Sequence, residues 1–235
     1  IPAGTKSTGE IAWKKDGKLG AAPELAKNAT LEIGEVANFN TMQAFSVGAW
    51  IRTPKLDSAG AIVARMDDTN KAQGWSLFHT SRNFGAYIIS RWPDDAIKVT
   101  TTAVTVRQGA WQHVLFTYDG SGKAAGIKLY IDGAPVELRL EIDKLKTASQ
   151  SATPTRIGQR SQSEFLQNAA VQDVRLYERQ LAAEEAKAVA KVPELQHTFA
   201  ASPSSPKVRD ALFEHYLNYR HSEFKNTNAQ LTKLT

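Results

Sequence analysis

Short apolar runs recur along most of the chain and are separated by turn residues. From Glu10 to about Tyr177, segments rich in Val, Ile, Thr, Phe and Trp alternate with Gly, Asp, Asn and Pro. Runs of this length with a two-residue alternation are typical of β-strands. The pattern therefore predicts an all-β sandwich rather than alternating strands and helices.

Two details of the pattern place individual strands. The run at Phe45–Ile51 is apolar on both faces, which predicts a central strand. Two later strands end in Asp-Gly, at Asp119–Gly120 and Asp132–Gly133. Because Gly accepts the positive φ that tight turns need, each Asp-Gly pair predicts a turn.

The C-terminal part of the chain has a different pattern. Leu181–Lys191 consists mostly of strong helix formers, which predicts a short helix after the last strand. A break rich in Ser and Pro follows at Ser202–Pro206. Beyond it, apolar residues fall at roughly helical spacing: Val208, Leu212, Tyr216, Tyr219 and Phe224. We therefore expect a sandwich domain over residues 1–192, then a linker and amphipathic helical extension over residues 193–235.

Composition narrows the classes of protein. With 42% hydrophobic and 23% charged residues, the chain is expected to fold as a globular protein. Lys and Arg are interspersed with Asp and Glu, so the net charge of +5 does not indicate a nucleic-acid partner. The absence of Cys excludes disulfides and thiolate chemistry. No run reaches the ~18 apolar residues of a membrane span, so no membrane insertion is expected.

Five motifs follow one another in a recognisable order. They are Phe45–Trp50 (FSVGAW), Gly109–Gly120 (GAWQHVLFTYDG), Gly126–Gly133 (GIKLYIDG), Arg156–Gly158 (RIG) and Val171–Leu181 (VQDVRLYERQL). Over residues 10–192 this order resembles the LamG-like, concanavalin A-like jelly-roll superfamily. The resemblance implies a two-sheet antiparallel jelly-roll sandwich with a short helix after the last strand. It specifies a fold and leaves the function open.

A narrower resemblance concerns three further segments. Arg91–Asp94 (RWPD), Gly120–Gly126 (GSGKAAG) and Leu212–Leu217 (LFEHYL) are similar to the LamG-like module of large planctomycete proteins that carry a predicted cytochrome c domain. This implies an extracytoplasmic, multi-domain parent protein whose neighbouring domains would be partners of the module. The resemblance supplies no catalytic residue and no ligand.

Glycan hydrolysis is the enzymatic alternative, because the superfamily includes glucanases. Those enzymes resemble one another in a Glu-x-Asp-x-x-Glu strand, whose two Glu side chains act as nucleophile and acid/base. The nearest string here is Glu141–Lys146 (EIDKLK), in which Lys146 stands where the second Glu is required. Because the general acid is missing, we expect no catalytic residues and no enzymatic activity.

Calcium is the candidate cofactor, because many LamG-like domains hold Ca²⁺ near the rim of the sandwich. Asp173 matches the Asp of the family's Asp-Val-Arg strand. Asp67, Asp68 and Asn70 form a second group of oxygen ligands, the kind that Ca²⁺ prefers. The alternative is that Asp173 pairs with a nearby Arg and that Asp67–Asn70 is a solvated turn.

A glycan site needs an aromatic ring flanked by hydrogen-bonding groups. Tyr87 and Arg91 share one face of a predicted strand, and Trp92 stands where that strand gives way to a loop. Trp75 and His79 share a face of the preceding strand. These five are the candidate ligand-binding residues. The alternative is that most of the tryptophans, Trp50 and Trp111 above all, belong to the core.

The sequence therefore predicts a non-catalytic, lectin-like binding module of an exported protein, with a polysaccharide as candidate partner. Two other functions stay open. One is a structural spacer that packs against neighbouring domains and binds no sugar, and the other is a glycan-active enzyme. A carbohydrate site requires exposed aromatic rings on one face of a sheet, whereas a spacer requires an apolar patch near the terminal helix.

Overall fold

The alternating apolar segments pair into two antiparallel sheets. The computed structural model describes residues 4–54, 59–219, 221 and 223–224. Within these residues, one sheet has eight strands in the spatial order β1 (Lys6–Thr8), β4 (Thr30–Gly34), β14 (Thr155–Ile157), β6 (Gly60–Asp67), β7 (Gln73–His79), β8 (Phe84–Arg91), β9 (Asp95–Thr101) and β13 (Leu138–Asp143).

The second sheet of the described chain has seven strands. Their spatial order is β12 (Ala134–Val136), β11 (Ile127–Ile131), β10 (Trp111–Tyr118), β5 (Phe45–Arg52), β15 (Ala169–Tyr177), β3 (Gly20–Leu25) and β2 (Ile11–Gly17). β5 lies between β10 and β15, so the predicted central strand is confirmed. The two-sheet antiparallel jelly-roll sandwich is confirmed as well.

The core lies between the two sheets. Phe45, Val47 and Phe116 of the seven-stranded sheet pack there with Leu77 and Ile88 of the eight-stranded sheet, and all five are fully buried. Burying this apolar surface is the main stabilising term of a sandwich, at about 25 cal/mol per Å². The two-residue alternation therefore decides which side chains face the core and which face outwards.

The turn at Asp132–Gly133 has the predicted chemistry. Ile131 pairs with Ala134 across a two-residue connection, and Asp132 and Gly133 have φ values of 53° and 82°. Both values are positive, as in the tight hairpin turn that matches the twist of paired strands. A Cβ atom on Gly133 would lie 2.8 Å from the Cα atom of Lys187, so this position also requires glycine for close approach.

The C-terminal part of the chain is helical, as predicted, but its first helix is longer than predicted. Helix α1 runs from Ala183 to Ala201 and includes Pro193. Proline removes one backbone hydrogen bond from a helix, and the strong helix formers on both sides of Pro193 carry the helix past it. The Ser/Pro-rich break then separates α1 from α2 (Pro206–Tyr219).

The chain divides into two compact units, residues 1–190 and residues 191–235. In the first, Leu181 and Ala186 pack with Leu115 and Tyr130 on the outer face of the seven-stranded sheet. In the second, the Ser205 carbonyl accepts the first backbone hydrogen bonds of α2. The side chain of Tyr219 and residues 225–235 of the predicted extension lie outside the described residues. None of the described helices is both long and apolar enough to span a bilayer.

Candidate functional site

The eight-stranded sheet presents a candidate site on its outer face, through strand β8. Alternation places Ala86 and Ile88 in the core, where both are fully buried. It places Tyr87 on the outer face, opposite Ser76 of β7 and Lys98 of β9. Tyr87 therefore lies near the middle of the exterior of this sheet.

Tyr87 is the centre of a group of aromatic and basic side chains, which we call the Tyr87 cluster. Phe78 stacks on Tyr87 with ring centroids 4.5 Å apart, and Trp92 meets it edge-on at 5.6 Å. The Arg160 guanidinium lies 4.7 Å and the Lys98 amine 5.4 Å from the centroid of the Tyr87 ring. These distances are typical of cation–π contacts, which hold the cluster together.

Trp92 is the most exposed ring of the cluster, with 40% of its surface accessible. Its backbone N–H donates to the Lys71 carbonyl at 2.9 Å, which fixes the turn that follows β8. Alternation alone puts Trp92 on the face opposite Tyr87. Because the strand ends at Arg91, the turn instead brings the indole back against Tyr87. Arg91 is exposed next to Trp92 in the chain, and Trp92 and Tyr87 share the outer side of the sheet.

Trp75 and His79 lie on the other side of the same sheet. Trp75 is only 2% exposed, contacts the ring of Phe45 in the core, and donates its indole N–H to the Ala37 carbonyl at 3.0 Å. His79 is also buried, and burial lowers its pKa to about 4. Because both side chains point into the sandwich, neither reaches a ligand on the outer face. The prediction is corrected for these two residues.

Three members of the Tyr87 cluster were not singled out from the sequence. Lys98 pairs with Tyr87 across the sheet and Phe78 pairs with Gly85 next to it. Alternation would have found both once the strand order was known. Arg160 arrives from the loop that follows β14, and no local pattern signals that it crosses to Tyr87.

The loop that carries Arg160 also borders a polar pocket of about 550 Å³. In this pocket Glu32 accepts a hydrogen bond from Arg156 at 3.0 Å and lies 3.6 Å from Lys6. Amide and hydroxyl groups make up most of the remaining lining, together with one aromatic ring: Thr8, Asn28, Thr30, Gln159, Ser161, Gln162 and Phe165. Such groups donate and accept hydrogen bonds without net charge, as neutral polar ligands require.

The predicted calcium ligands at the end of β6 and in the turn after it form hydrogen bonds with groups of the chain. Asp67 accepts hydrogen bonds from the N–H and the hydroxyl of Thr69, at 3.0 and 2.7 Å. Asp68 accepts one from the Gln162 N–H and one from the Ser163 hydroxyl, both at 2.9 Å. The Asn70 amide donates to Gln73 at 3.0 Å. These bonds shape the turn and tie it to the loop after β14.

Asp173 is bound to a cation of the chain. Its two carboxylate oxygens accept from Nε of Arg175 at 3.1 and 3.0 Å, which is the ion-pair alternative. Across the described ranges, no three His, Asp or Glu side chains come together in a group that could hold a metal. Ca²⁺ takes six to eight oxygens, so Asp173, Asp67, Asp68 and Asn70 do not fit a calcium site as they are placed.

Glu141 belongs to the acidic segment at the edge of the eight-stranded sheet, and its carboxylate makes structural contacts with the neighbouring strand. Glu141 lies 2.7 Å from the Lys98 amine and accepts from the Thr100 hydroxyl at 2.7 Å. Burial would raise the pKa of Glu141, but these hydrogen bonds outweigh burial and the pKa is lowered. A general acid for glycoside cleavage needs a raised pKa, so Glu141 is poorly suited to that role.

Known proteins share features of this chain at the level of family and of fold. The family described as the Concanavalin A-like lectin/glucanases superfamily (Laminin_G_3) matches residues 25–187. No protein of curated function matches the sequence. Several solved structures share the fold at low sequence identity.

The binding domain of Paraclostridial Mosquitocidal Protein 1 superposes with a TM-score of 0.58 at 19% identity, covering 80% of this chain and 47% of that one. The binding domain of botulinum neurotoxin DC, in complex with rat synaptotagmin II, gives 0.60 at 13% identity, with 80% and 46% covered. The chain therefore spans about half the length of these toxin domains.

Domain 4 of AbnA, an extracellular GH43 arabinanase from Geobacillus stearothermophilus, was solved in complex with arabinotriose. It gives a TM-score of 0.52 at 16% identity, covering 79% of this chain and 87% of that one. At such identities the likeness to solved structures extends to the fold alone. The family match, by contrast, covers most of the sandwich in both sheets. The chain belongs to the concanavalin A-like lectin/glucanase superfamily.

Proposed function

We propose that this chain is a non-catalytic, lectin-like module that binds a polysaccharide on the outer face of its eight-stranded sheet. The observation that carries the proposal is the exposed indole of Trp92, held edge-on by Tyr87 at 5.6 Å. The apolar face of a sugar ring packs on a flat aromatic ring, and a ring that is already fixed loses little entropy on binding.

A sugar site also needs hydrogen-bonding groups beside the aromatic ring, and we propose that residues around Trp92 supply them. Arg91 is exposed next to the indole, and Arg160 contacts Tyr87 from the loop that borders the polar pocket. The amide and hydroxyl groups of that pocket match the donors and acceptors of a second sugar unit. The arabinotriose complex of AbnA domain 4 supports this class of ligand.

We also propose that the module does not cleave glycosidic bonds. Lys146 occupies the position of the required second carboxylate. Its backbone N–H donates to the Asp95 carboxylate at 2.6 Å. The lowered pKa of Glu141 also disfavours proton donation. We expect the domain to bring its parent protein to a polysaccharide and to leave the glycosidic bond intact.

We place the module in an extracytoplasmic, multi-domain parent of the kind that carries a cytochrome c domain in planctomycetes. The motifs Arg91–Asp94, Gly120–Gly126 and Leu212–Leu217 support this placement. The extracellular origin of the arabinanase domain agrees with an exported protein.

A second function is favoured by the C-terminal helices. Phe213 and Tyr216 of α2 are 60% and 49% exposed, and Phe199 near the end of α1 is exposed as well. Exposed aromatic rings on short helices favour burial against another domain. In this alternative the chain is a spacer that packs on its neighbours in the parent protein.

A glycan array with and without a calcium chelator tests the proposal. We expect saturable binding to at least one polysaccharide class, unchanged by the chelator, because among the described residues no three His, Asp or Glu side chains gather in a group that could hold a metal. Failure of the folded domain to bind any glycan would leave the spacer function as the better account.

A further inference from the structure

A separate feature of the sandwich is a split in its seven-stranded sheet. β15 pairs with β3 only through Ala169 and Ala170, and the two strands then separate. The separation begins where β15 bulges between Gln172 and Arg175, with Asp173 at a φ of 51°. A bulge bends its strand and ends regular pairing, so the inner space between the sheets opens at this edge.

A side chain closes the split at the level of the sheet. The Gln172 amide accepts from the Leu19 N–H and donates to the Ala21 carbonyl, both at 3.0 Å. It therefore takes the place of the missing backbone pairs between β15 and the β2–β3 hairpin. The space beneath this bridge remains open.

That space is an apolar cleft of about 460 Å³. Both sheets line it, almost entirely with apolar side chains: Trp13, Ala21, Pro23, Leu31, Ile33, Val36, Ile157, Val171, Val174 and Leu176, besides Gln172 and Asp173. Trp13 is 54% exposed at its mouth. The volume lies within the range of ~300–1,000 Å³ that is typical of small-molecule sites.

A smaller cavity of about 280 Å³ adjoins the cleft and shares Trp13 and Leu31 with it. Its other lining residues are Thr5, Ser7, Gly9 and Ile11, so hydroxyl and backbone groups replace most of the apolar surface. The lining thus changes from apolar to polar across the Trp13 ring.

We propose that this pair of cavities binds a neutral amphiphile. Its apolar chain occupies the cleft and its uncharged, hydroxyl-bearing head group occupies the smaller cavity beside Ser7. Among the described lining residues the only charged group is Asp173, and Arg175 already pairs with it. An ionic head group would lose hydration there without gaining a partner, so charged amphiphiles are disfavoured.

The test is a titration of the methyl-labelled protein with decyl β-glucoside below its critical micelle concentration, followed by NMR. We expect saturable shifts of the methyl groups that line the cleft, such as those of Ile33 and Val174. The methyl groups of Val104 and Leu140, exposed outside it, should stay in place. Decyl sulfate and decyltrimethylammonium should bind at least about tenfold more weakly.

Two variants separate specific binding from loss of fold. Ala21→Phe adds a ring at an exposed lining position and should block the cleft, and Trp13→Ala should weaken binding about tenfold. The matched control Leu140→Ala, at an exposed position outside both cavities, should bind decyl β-glucoside like the wild type. Absent or non-saturable shifts, equal binding of the ionic detergents, or unchanged binding by Ala21→Phe would each overturn the proposal.

Discussion

Two buried histidines show how single residues set the stability of this sandwich. His113 is fully buried, and neither ring nitrogen has a hydrogen-bond partner among the described residues. Burial lowers the pKa of His113 to about 4, and the nearby charges of Asp132 and Arg175 act in opposite directions. Burial lowers the pKa of His79 to about 4 as well. Both histidines are therefore neutral in the folded protein at pH 7.

These histidines predict acid destabilisation. Their pKa is 6.5 when unperturbed and about 4 when folded, so between these values the unfolded chain binds more protons. The free energy of unfolding should be highest above pH 6.5 and should fall as the pH drops to about 4, by up to about 3 kcal/mol per histidine. Urea denaturation at a series of pH values measures this dependence.

The variant His113→Leu should remove roughly half of this pH dependence, because one of the two titrating groups is gone. His197→Gln, at an exposed position of α1, is the matched control and should leave the slope unchanged. A pH profile of His113→Leu identical to that of the wild type would show that His113 is not the group responsible.

The carboxylates also predict the response to calcium. Asp173 is paired with Arg175, and Asp67 and Asp68 accept hydrogen bonds from the chain. A ligand stabilises a protein only if it binds the folded state more tightly than the unfolded one. We therefore expect millimolar Ca²⁺ to leave the melting temperature of the chelator-treated protein unchanged. A clear rise that Asp173→Asn abolishes would instead establish the calcium site.

At the scale of elements, two-residue alternation predicted more of the site than any motif did. It predicted that Tyr87 faces outwards, as it does, and it put Arg91 on the same face. Arg91 is exposed, but the pairing of β8 with β9 shifts register between Ile89 and Arg91. It misplaced Trp92, which lies in the turn beyond the strand and returns to Tyr87. Arg160 could not be predicted, since its place depends on the path of a loop between distant strands.

The C-terminal helices could be predicted only in part from the local sequence. The composition of Leu181–Lys191 predicted a helix, but tolerance of Pro193 depends on the whole of α1. The Ser/Pro break was predictable because such residues favour turns and helix starts. The exposure of the Phe213 side chain was not predictable, because a prediction of exposure requires knowing which residues pack on α2.

Removal of α2 tests whether the sandwich is stable without the C-terminal extension. The chain divides at residues 190 and 191, so α2 lies in a compact unit of its own, beyond the Ser/Pro-rich break. Removal of residues 204–235 should therefore lower the melting temperature of the sandwich by less than about 3 °C. Calorimetry of the shortened chain measures it.

The matched comparison is Leu181→Ala in the full chain, which empties a buried position against Leu115 and should cost about 2–5 kcal/mol. A truncation as destabilising as Leu181→Ala would mean that the helical extension belongs to the sandwich and that the proposed boundary near residue 192 is wrong.

At the scale of the whole sandwich, its surfaces differ in what they offer a ligand. Leu181, just before α1, and Ala186, in its first turn, cover part of the outer face of the seven-stranded sheet. The outer face of the eight-stranded sheet carries the Tyr87 cluster and the polar pocket. The edge beside Trp13 opens into the apolar cleft. Two chemically different surfaces therefore lie on one scaffold.

Isothermal titration measures whether Trp92 forms the sugar-binding surface. An oligosaccharide fragment of the polysaccharide that the array selects is titrated into the wild type, Trp92→Ala and Trp13→Ala. We predict that Trp92→Ala binds at least about tenfold more weakly, because the stacking surface is lost, while Trp13→Ala binds within about twofold of the wild type. Wild-type affinity in Trp92→Ala would show that the sugar binds elsewhere, as would loss of binding in Trp13→Ala alone.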